Sequence, residues 1–306
     1  MANIRPYLKK VWQSNFNGAC STDVLAFSPD NIDGKFLYFL IAQDRFVNYV
    51  MCGAKGSKMP RGDKNHILEY ETGVPTESEQ RKIAHFIDLL NARITSQNSL
   101  INLIKKYKRG SLSALFPKKR EITPQYRFAG FTKPWEQRKL DDVVEFLDTM
   151  RKPLEGAKRI SGSYPYYGAS GIVDYVDGYL FDEELILLSE DGANITDRNY
   201  PVCFLASGKY WVNNHAHVLR TKQGNENTFI CNSLERKDYT QYNTGMAMPK
   251  LNKETCKKIP ILCPEFEEQK KIGDYFRSLD HLITLHQHKY DTLLSLKNAI
   301  LQQMFI

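Results

Sequence analysis

Hydrophobic side chains recur in alternating steps of four and three residues along two stretches of the chain. The seam positions are Ile83, Ile87, Leu90, Ile94, Gln97, Ile101 and Ile104 in the first stretch and Ile272, Phe276, Leu279, Ile283, His286, Tyr290 and Leu293 in the second. An average spacing of 3.5 residues is typical of a helix that packs an apolar seam against another helix. Gln97 and His286 interrupt the seams at the same point, and a polar seam residue can fix the register of a helix pair. The pattern predicts two long helices that pair with each other, although an ordinary bundle helix with one tolerated polar position also fits it.

The two stretches belong to an internal repeat. A shift of 189 positions aligns residues 59–116 with residues 248–305 without a gap, and 14 of these 58 pairs are identical. A repeat of this size decides the architecture before any single motif does. Each copy begins after a proline and carries acidic residues at its start, which favours a helix. At 1.5 Å per residue, a helix from Glu77 to Leu115 would be about 57 Å long.

The repeat divides the chain into parts of unequal size. We predict an α+β protein with a partial globular domain at 1–75, a long helix at 76–117, a linker at 118–126, a complete globular domain at 127–264 and a second long helix at 265–306. The first domain has 75 residues before its helix and the second has 138, so the first corresponds to the C-terminal part of the second.

Short-range patterns predict secondary structure inside both domains, and both domains are expected to be of mixed α/β structure. In the first domain, we predict a strand at 7–12 and a helix at 35–49. In the second, we predict strands at 185–188, 202–206 and 216–219 and a helix at 228–242.

Composition argues against a membrane protein and against a disulfide-stabilised secreted protein. The chain has no run of 18 apolar residues, and its N-terminus lacks the apolar segment of a secretory signal. Its six cysteines form no CxxC pair and read as buried or incidental thiols, so we expect a cytoplasmic protein. The formal net charge of +7 is compatible with a nucleic-acid partner but is weak evidence alone.

Catalytic motifs are absent or weak. The chain has no GxxxxGK[ST] phosphate loop, no GxGxxG and no Asn-Pro-Pro-Phe sequence of the amino-methyltransferases. The sequence PDNIDGK at 29–35 superficially matches a metal-dependent nuclease pattern, but its acidic residues are too closely spaced. His215 and His217 alternate, would share a strand face and could bind a metal together with Asp191. Packing or hydrogen bonding is the simpler interpretation, so no catalytic or metal site is predicted.

A set of motifs in a fixed order gives the chain a family resemblance. The motifs are RFAGF at 127–131, WEQRKL at 135–140, YGASGI at 167–172, EDGAN at 190–194, WVNNHAHVL at 211–219, Pro264 with EQ at 268–269, and LQQMF at 301–305. Together with the repeat, they resemble the specificity (S) subunits of type I restriction-modification systems. The chain departs from the family pattern in one large way, because its first globular domain lacks its front half.

The resemblance implies a non-catalytic, sequence-specific DNA-binding subunit. Each globular domain would be a target-recognition domain for one half of a split DNA sequence, and the two long helices would pair antiparallel as a spacer coiled coil. The partners implied are double-stranded DNA, methyltransferase (M) subunits, motor-nuclease (R) subunits and, for this chain, a second S chain. The chain itself would hold no cofactor, since S-adenosylmethionine, ATP and magnesium would belong to the partner subunits.

DNA reading requires Lys and Arg for phosphates and polar side chains for base edges. The candidates in the second domain are Arg151, Lys152, Tyr167, Ser170, Asn194, Lys209, Trp211, Asn213, Asn214, His215 and Lys250, and those in the first are Lys55, Lys58 and Arg61. A single surface lysine is usually only solvated, and tyrosines near 164–167 are more often packing residues than stacking platforms. The grouping therefore carries more weight than any of its members.

A different class of function competes with this interpretation. A chain with a truncated first domain could be an assembly scaffold, or a silent recombination cassette, that binds other subunits without reading DNA. Sequence-selective and salt-dependent DNA binding would separate the two, because a scaffold would respond to DNA without regard to sequence.

Overall fold

The structure is a computed structural model that describes residues 1–156 and 159–304. The chain folds into two compact units, each described by itself below. The helical unit comprises Met1–Asn102 and Leu285–Ile306, and the sheet unit comprises Leu103–Thr284. Phe305 and Ile306, which end the predicted second helix, lie outside the described residues. No helix in the described part of the chain is long and apolar enough to cross a membrane.

The helical unit is built from three short helices and parts of both long ones. The short helices are α1 (Gly34–Ile41), α2 (Asp44–Cys52) and α3 (Lys64–Leu68), and the first long helix is α4 (Glu77–Leu115). One buried cluster consists of Met1, Leu25, Ile41, Phe46, Val47, Val50 and Ile67. A second cluster joins Phe36, Phe39, Leu40, Ala84 and Ile87, and Leu301 near the end of the chain packs against it.

Two predictions for residues 1–75 are wrong in detail. The predicted strand at 7–12 does not form, because Pro6–Leu8 makes a 3₁₀ turn with left-handed backbone angles on both sides. The predicted helix at 35–49 is interrupted at Ala42 and Gln43, so α1 and α2 are separate. Within the described residues 1–75, β pairing is limited to isolated bridges. The strands of this α+β protein therefore come from the sheet unit.

The sheet unit contains three sheets. In chain order its elements are β1 (Glu136–Lys139), α5 (Leu140–Val143), β2 (Val144–Phe146), β3 (Ser161–Gly168), β4 (Gly171–Val176), β5 (Phe181–Asp182), β6 (Leu185–Ser189), α6 (Asn194–Asp197), β7 (Cys203–Ala206), β8 (Lys209–Val212), β9 (Ala216–Thr221), α7 (Asn227–Glu235), α8 (Lys253–Lys257), β10 (Pro260–Cys263) and the second long helix α9 (Phe266–Met304). The strand orders are β1-β10, β2-β9-β6-β7 and β4-β3-β8-β5, and every pair is antiparallel except β3 with β8. The predicted strands at 185–188, 202–206 and 216–219 correspond to β6, β7 and β9, whereas the predicted helix at 228–242 ends at Glu235.

Strand β6 is buried on both faces and joins the two cores of the sheet unit. Ile186 and Leu188 pack on one side with Phe229 of α7 and with Phe276 of α9. Leu185 and Leu187 pack on the other side with residues of the second four-stranded sheet, including Tyr210 and Val212. A strand covered on both faces is expected to be apolar at every position, which is why the run at 185–188 could be recognised in the sequence.

The two long helices run antiparallel inside each unit. In the helical unit, the Gln97 amide donates hydrogen bonds to Nδ1 and to the backbone oxygen of His286, at 2.8 and 3.0 Å. In the sheet unit, Lys108 pairs with Asp280 at 2.5 Å and Ser111 bonds Tyr275 at 2.9 Å. Residue numbers therefore rise along α4 as they fall along α9.

The predicted seam residues are buried to different degrees. Those with little exposure are Ile87, Leu90, Ile94, Gln97, Ile101, Ile272, Phe276 and Leu279, and those half-buried are Ile83, Ile104, Ile283, His286, Tyr290 and Leu293. The two polar seam residues bond each other, and they occupy equivalent positions in the two copies of the repeat, which are 189 residues apart. A hydrogen bond of this kind fixes one register of the helix pair.

The start of each long helix is held by the same glutamine contact. Gln80 donates to the backbone oxygen of Pro75 and accepts from the N–H of Asp33, the residue that caps α1. Gln269 likewise donates to Pro264 and accepts from Glu226, which caps α7. The repeat seen in the sequence is thus repeated in hydrogen bonding.

Replacing Gln97 by Leu is expected to lower the free energy of unfolding by about 1 kcal/mol, because His286 is left without its partner. The double variant with His286→Leu should recover this difference, since two apolar residues suit a seam. Urea unfolding of the wild type, both single variants and the double variant measures the coupling. Asn98→Leu, at an exposed neighbouring position, is the control. If the changes in the free energy of unfolding of the two single variants simply add up in the double variant, the two residues are not coupled and the pairing is contradicted.

Candidate nucleic-acid interface

Four connecting segments of the sheet unit meet in one place, which we call the loop cluster. It consists of the β3–β4 turn at 168–171, residues 190–194 after β6, the turn at 213–215 before β9, and residues 249–251. The hydroxyl of Ser189 donates to the oxygen of Ala169 at 2.5 Å, and the N–H of Glu190 donates to the oxygen of His215 at 2.9 Å. The backbone of 190–192 also bonds Pro249 and Leu251, at 3.0 and 2.7 Å. Residues far apart in the sequence are thereby brought together.

Backbone conformation shapes one of these segments. Gly192 has φ of +109°, which side-chain-bearing residues rarely adopt, and a Cβ there would meet nothing within 4 Å. The backbone angle, and not the available space, therefore requires glycine at this position. The turn leads directly into α6 and places Asn194 at its start.

A buried ion network lies under the loop cluster. It consists of Asp148, Arg151, Glu190 and His217, whose side chains are 8, 12, 16 and 1% exposed. His217 Nδ1 donates to Asp148 Oδ2 at 2.8 Å, and its Nε2 donates to the oxygen of Leu251 at 2.7 Å. Asp148 Oδ1 also accepts from the N–H of Val218 at 3.0 Å. The network connects β9 to three segments that carry or adjoin the loop cluster.

Both ring nitrogens of His217 face acceptors, so the imidazole is a cation. Burial alone would lower its pKa, but the hydrogen bond and charge of Asp148, together with the contact to Cys256, outweigh burial and raise the pKa of His217 to about 10. Burial acts against the ionised form of Asp148 too, yet His217 and Arg151 hold the pKa of this carboxyl below its usual value. Within the network, a positively charged His217 imidazole and a negatively charged Asp148 carboxylate therefore form a buried ion pair.

Arg151 does not have the exposure that a phosphate contact requires. Its guanidinium donates to Glu190 at 2.8 Å and to the oxygen of Ala216 at 2.6 Å, and its Nε donates to the oxygen of Asp148 at 3.1 Å. Arg151 therefore has a structural role in the network, and the DNA contact expected from its charge stays a prediction.

Three further predicted residues support the loop cluster from within. Asn194 bonds the backbone of Tyr200 and Pro201, which closes the segment after α6. Asn213 is 7% exposed and its Oδ1 accepts from the N–H of His215 at 2.8 Å. Tyr167 packs against Phe204 and Tyr210, and burial raises its pKa. These side chains hold loops in place, Asn213 from a buried position and Asn194 and Tyr167 from partly buried ones.

The exposed side chains of the loop cluster include Ser170, Asn214, His215 and Lys250. His215 is half exposed and bonds the Asp191 carboxylate at 2.9 Å, while Lys250 lies 3.5 Å from Glu190. Lys152 is also exposed, and its backbone oxygen accepts from the Trp211 indole at 2.6 Å. Hydroxyl, amide, imidazole and ammonium groups thus face solvent beside one another.

Lys209 lies at the beginning of β8, whereas the loop cluster begins after the end of this strand. Its ammonium group sits 4.8 Å from the ring centre of Tyr179, and this tyrosine raises the pKa of Lys209. Trp211 is partly exposed between these two places.

The three candidates in the first domain belong to the helical unit. Lys55 pairs with Asp63, and Arg61 pairs with Asp23 at 3.0 Å. Lys58 is exposed. Lys55 and Arg61 also bridge through their backbones, so the glycine-rich stretch at 53–62 forms a tight loop.

The two metal-site alternatives do not have suitable geometry. His215 lies in the turn before β9 and bonds Asp191, whereas His217 is buried in β9 and bonds Asp148, so the shared strand face expected from their alternation is wrong. In the stretch at 29–35, the Asp33 carboxylate caps α1 by accepting from the N–H groups of Lys35 and Phe36. Across residues 1–156 and 159–304, no group of three or more His, Cys, Asp and Glu is arranged to hold a metal ion.

Sequence reasoning missed Asp148 and the partnership of Glu190 with Arg151. Asp148 stands 69 positions from His217, and no local spacing connects them. A charged or ionisable residue inside an otherwise apolar run, as His217 is between Ala216 and Val218, was the one available indication that a buried partner exists.

Comparison with known proteins places these features in a family. Residues 132–295, more than half of the chain, match the family model described as "Type I restriction modification DNA specificity domain". A Haemophilus influenzae protein assigned as a type I restriction enzyme specificity subunit is 37% identical over 137 residues, which cover 45% of this chain and 35% of that protein. The type I restriction enzyme MjaVIII specificity subunit of Methanocaldococcus jannaschii is 22% identical over 303 residues, covering 87% of this chain and 68% of that protein. The match to the Haemophilus protein therefore spans about a third of that relative's length.

Two solved structures have a similar fold. The S subunit of a type I restriction-modification system from M. genitalium aligns with a TM-score of 0.65 and 17% identity, covering 90% of this chain and 73% of that one. A chain from a study of complex assembly and conformational transition of the type I R-M system aligns with a TM-score of 0.59 and 18% identity, covering 99% and 80%. At this level of identity the likeness concerns the fold.

Proposed function

This chain belongs to the family of type I restriction-modification DNA specificity domains, and we propose that it is a non-catalytic subunit that selects a DNA sequence for partner enzymes. It would direct methyltransferase and motor-nuclease subunits to a bipartite target. The observation that carries the proposal is the loop cluster, where exposed polar side chains from separate segments stand together on a rigid buried network. A site that reads DNA needs this combination of varied hydrogen-bonding groups and fixed backbone.

Division of labour within the loop cluster follows from exposure and chemistry. Asn214, Ser170 and His215 are suited to base edges, because amide, hydroxyl and imidazole groups can donate and accept. Lys152 and Lys250 are suited to phosphates, which give affinity and orientation without sequence choice. The buried ion network would keep the reading groups in one geometry, so little conformational entropy is lost on binding.

Partner subunits would carry out methyl transfer and DNA cleavage, which this chain is not proposed to catalyse. S-adenosylmethionine, ATP and magnesium would be bound by those subunits, and the complex would act in the cytoplasm. Double-stranded DNA is the proposed ligand of this chain, and a second S chain is a further proposed partner.

The proposal is tested by mapping methylated bases genome-wide in cells that express this chain with its methyltransferase subunit. A split motif with two defined halves is expected, and a symmetric motif that repeats one half would mean that two copies pair through their sheet units. Asn214→Ala should relax the choice at one base position, at a cost of about 1 to 3 kcal/mol in binding to the original site. Asn298→Ala, an exposed asparagine on α9, is the control and should leave the motif unchanged.

A non-reading assembly scaffold, or a silent recombination cassette, is the second candidate. It is favoured by the absence of regular strands from the described residues 1–75, which therefore offer no counterpart of the loop cluster. A soluble complex with the methyltransferase subunit that adds no methylation anywhere in the genome would favour this candidate over DNA reading.

A further inference from the structure

Seven basic residues are concentrated in one short stretch, residues 105–120, which we call the basic segment. Its sequence, KKYKRGSLSALFPKKR, contains seven Lys and Arg and no Asp or Glu. The whole chain has 42 Lys and Arg against 35 Asp and Glu. Outside the basic segment the count is therefore 35 against 35, and the entire net charge of +7 is equal to the charge of this one segment.

Six of the seven cations in the basic segment are exposed and have no ion-pair partner among the described residues. They are Lys105, Lys106, Arg109, Lys118, Lys119 and Arg120. The seventh, Lys108, is half-buried and pairs with Asp280. Elsewhere in the sheet unit, exposed cations such as Arg220 and Arg277 each pair with two carboxylates. Exposed cations without partners also occur elsewhere, and what sets the basic segment apart is that seven Lys and Arg follow one another with no Asp or Glu between them.

The basic segment is anchored at its middle, where α4 ends. Phe116 is 1% exposed, the Arg236 guanidinium lies 5.3 Å from its ring centre, and Arg236 donates to the oxygen of Pro117 at 2.9 Å. Burial lowers the pKa of Lys237, and the neighbouring Arg236 lowers it further. Two carboxylates are near: Glu121 accepts from the N–H of Lys118, and the pKa of Asp238 is lowered mainly by its hydrogen bonds from Thr240 and to a smaller extent by Lys119. Positive charge therefore exceeds negative charge around a fixed point of the backbone.

The internal repeat supplies a comparison for the helical part of the basic segment. At the positions equivalent to Lys105, Lys106 and Arg109, the second copy has Leu294, Ser295 and Asn298. Lys108, which has an ion-pair partner, is matched by Lys297. The cations without partners are therefore not needed to form or pair the long helix, since the second copy does both without them.

We propose that the basic segment binds the phosphate backbone of duplex DNA, as a sequence-independent contact separate from the loop cluster. The inference rests on the proposed function, because it assigns this surface to the same ligand. Duplex DNA carries one charge per ~1.7 Å of its axis, and neutralising phosphates with Lys and Arg releases bound counterions. Consecutive exposed cations without carboxylate partners suit such a uniform polyanion.

An acidic protein surface is the competing ligand, and the position of the charge disfavours it. Leu103, Tyr107, Gly110 and Ala114 line a shallow groove on α4, which is where a protein partner would find apolar contact. Of the six cations, Lys106 lines this groove, whereas 118–120 follow the end of the helix. Half of the six cations therefore lie beyond the apolar surface, past the end of the helix.

The test uses the full chain and two duplexes, one containing the site found by methylation mapping and one of scrambled sequence, over a series of salt concentrations. The variants are K105Q/K106Q/R109Q and K118Q/K119Q/R120Q. Each should weaken binding to both duplexes by the same factor and reduce the slope of log K against log salt by about 2 to 3, roughly 0.9 for each phosphate that the variant no longer neutralises. The ratio of affinities for the two duplexes should stay unchanged.

The control variant K82Q/K270Q/K289Q removes the same charge from exposed positions elsewhere on the long helices. A control that lowers the salt slope as much as the test variants would overturn the proposal, because the effect would then be one of net charge alone. Unchanged DNA binding together with release of the co-purified methyltransferase subunit would overturn it in favour of an acidic protein partner. Failure of the proposed function looks different: the wild type would bind both duplexes equally, while the dependence of the salt slope on the basic segment could still be measured.

Discussion

Glu268→Gln is expected to lower the free energy of unfolding by about 3 to 5 kcal/mol. The Glu268 carboxylate is 1% exposed and accepts two hydrogen bonds from the Arg127 guanidinium, at 2.8 and 2.5 Å. Removing its charge leaves a guanidinium that is 15% exposed without its counter-ion. Urea unfolding followed by circular dichroism measures the difference, with both proteins at the same concentration and salt.

The repeat provides a matched control in Glu79, which occupies the position of Glu268 in the first copy. Glu79 is exposed and has no ion-pair partner among the described residues. Glu79→Gln should change stability by less than about 0.5 kcal/mol, as is usual for exposed positions. Equal destabilisation by the two variants would show that the bidentate pair contributes nothing specific.

His217→Gln is expected to remove a pH dependence of stability that the wild type shows between about pH 6.5 and pH 10. Because folding raises the pKa of His217 to about 10, the folded chain keeps a proton that the unfolded chain releases above its ordinary pKa of 6.5. The stabilisation is fully present below pH 6.5 and is lost as pH rises through 10. Over that window the wild type should lose roughly 3 to 5 kcal/mol more than the variant.

The measurement is the urea midpoint of wild type and variant at about pH 6, 8 and 10, which brackets the window that linkage predicts. Burial raises the pKa of the Cys263 thiol to about 11, just above this range. The Cys263 contribution is common to both proteins and cancels in the difference, whereas Cys256 bonds His217 and helps raise its pKa, so its contribution belongs to the His217 effect. His215→Gln serves as the control at an exposed histidine. If the urea midpoints of wild type and His217→Gln change with pH in the same way, the buried imidazole is not charged and the prediction is wrong.

The long helices could be predicted because their cause is local. A seven-residue period and a proline before each start determine where α4 and α9 run, and the structure places them at Glu77–Leu115 and Phe266–Met304. Gln97 and His286 also interrupt the two seams at equivalent positions of the repeat, which marked them as residues that can fix the register. In the structure their hydrogen bond joins the two helices at this point. Strand β6 could be predicted for a similar reason, since a strand buried on both faces is apolar throughout.

The supporting layer of the candidate site could not be predicted, because it depends on contacts between distant residues. Arg151 reads as a surface cation in the sequence, and only the positions of Asp148 and Glu190 make it a buried one. Asn194 and Asn213 have the chemistry of base readers, yet neighbouring backbone groups occupy their side chains. The sequence therefore grouped these residues as one candidate site but did not indicate which of their side chains are exposed.

One consequence of the fold concerns synthesis on the ribosome. The helical unit combines Met1–Asn102 with residues from Leu285 onward, and Leu301 packs in the cluster of Phe36 and Ile87. At about 5 to 20 residues per second, translation of the roughly 180 intervening residues takes roughly 10 to 40 s. During that time the seam of α4 in the helical unit has no partner from its own chain. The apolar seam is then accessible to chaperones or to another chain until the last residues of α9 leave the ribosome.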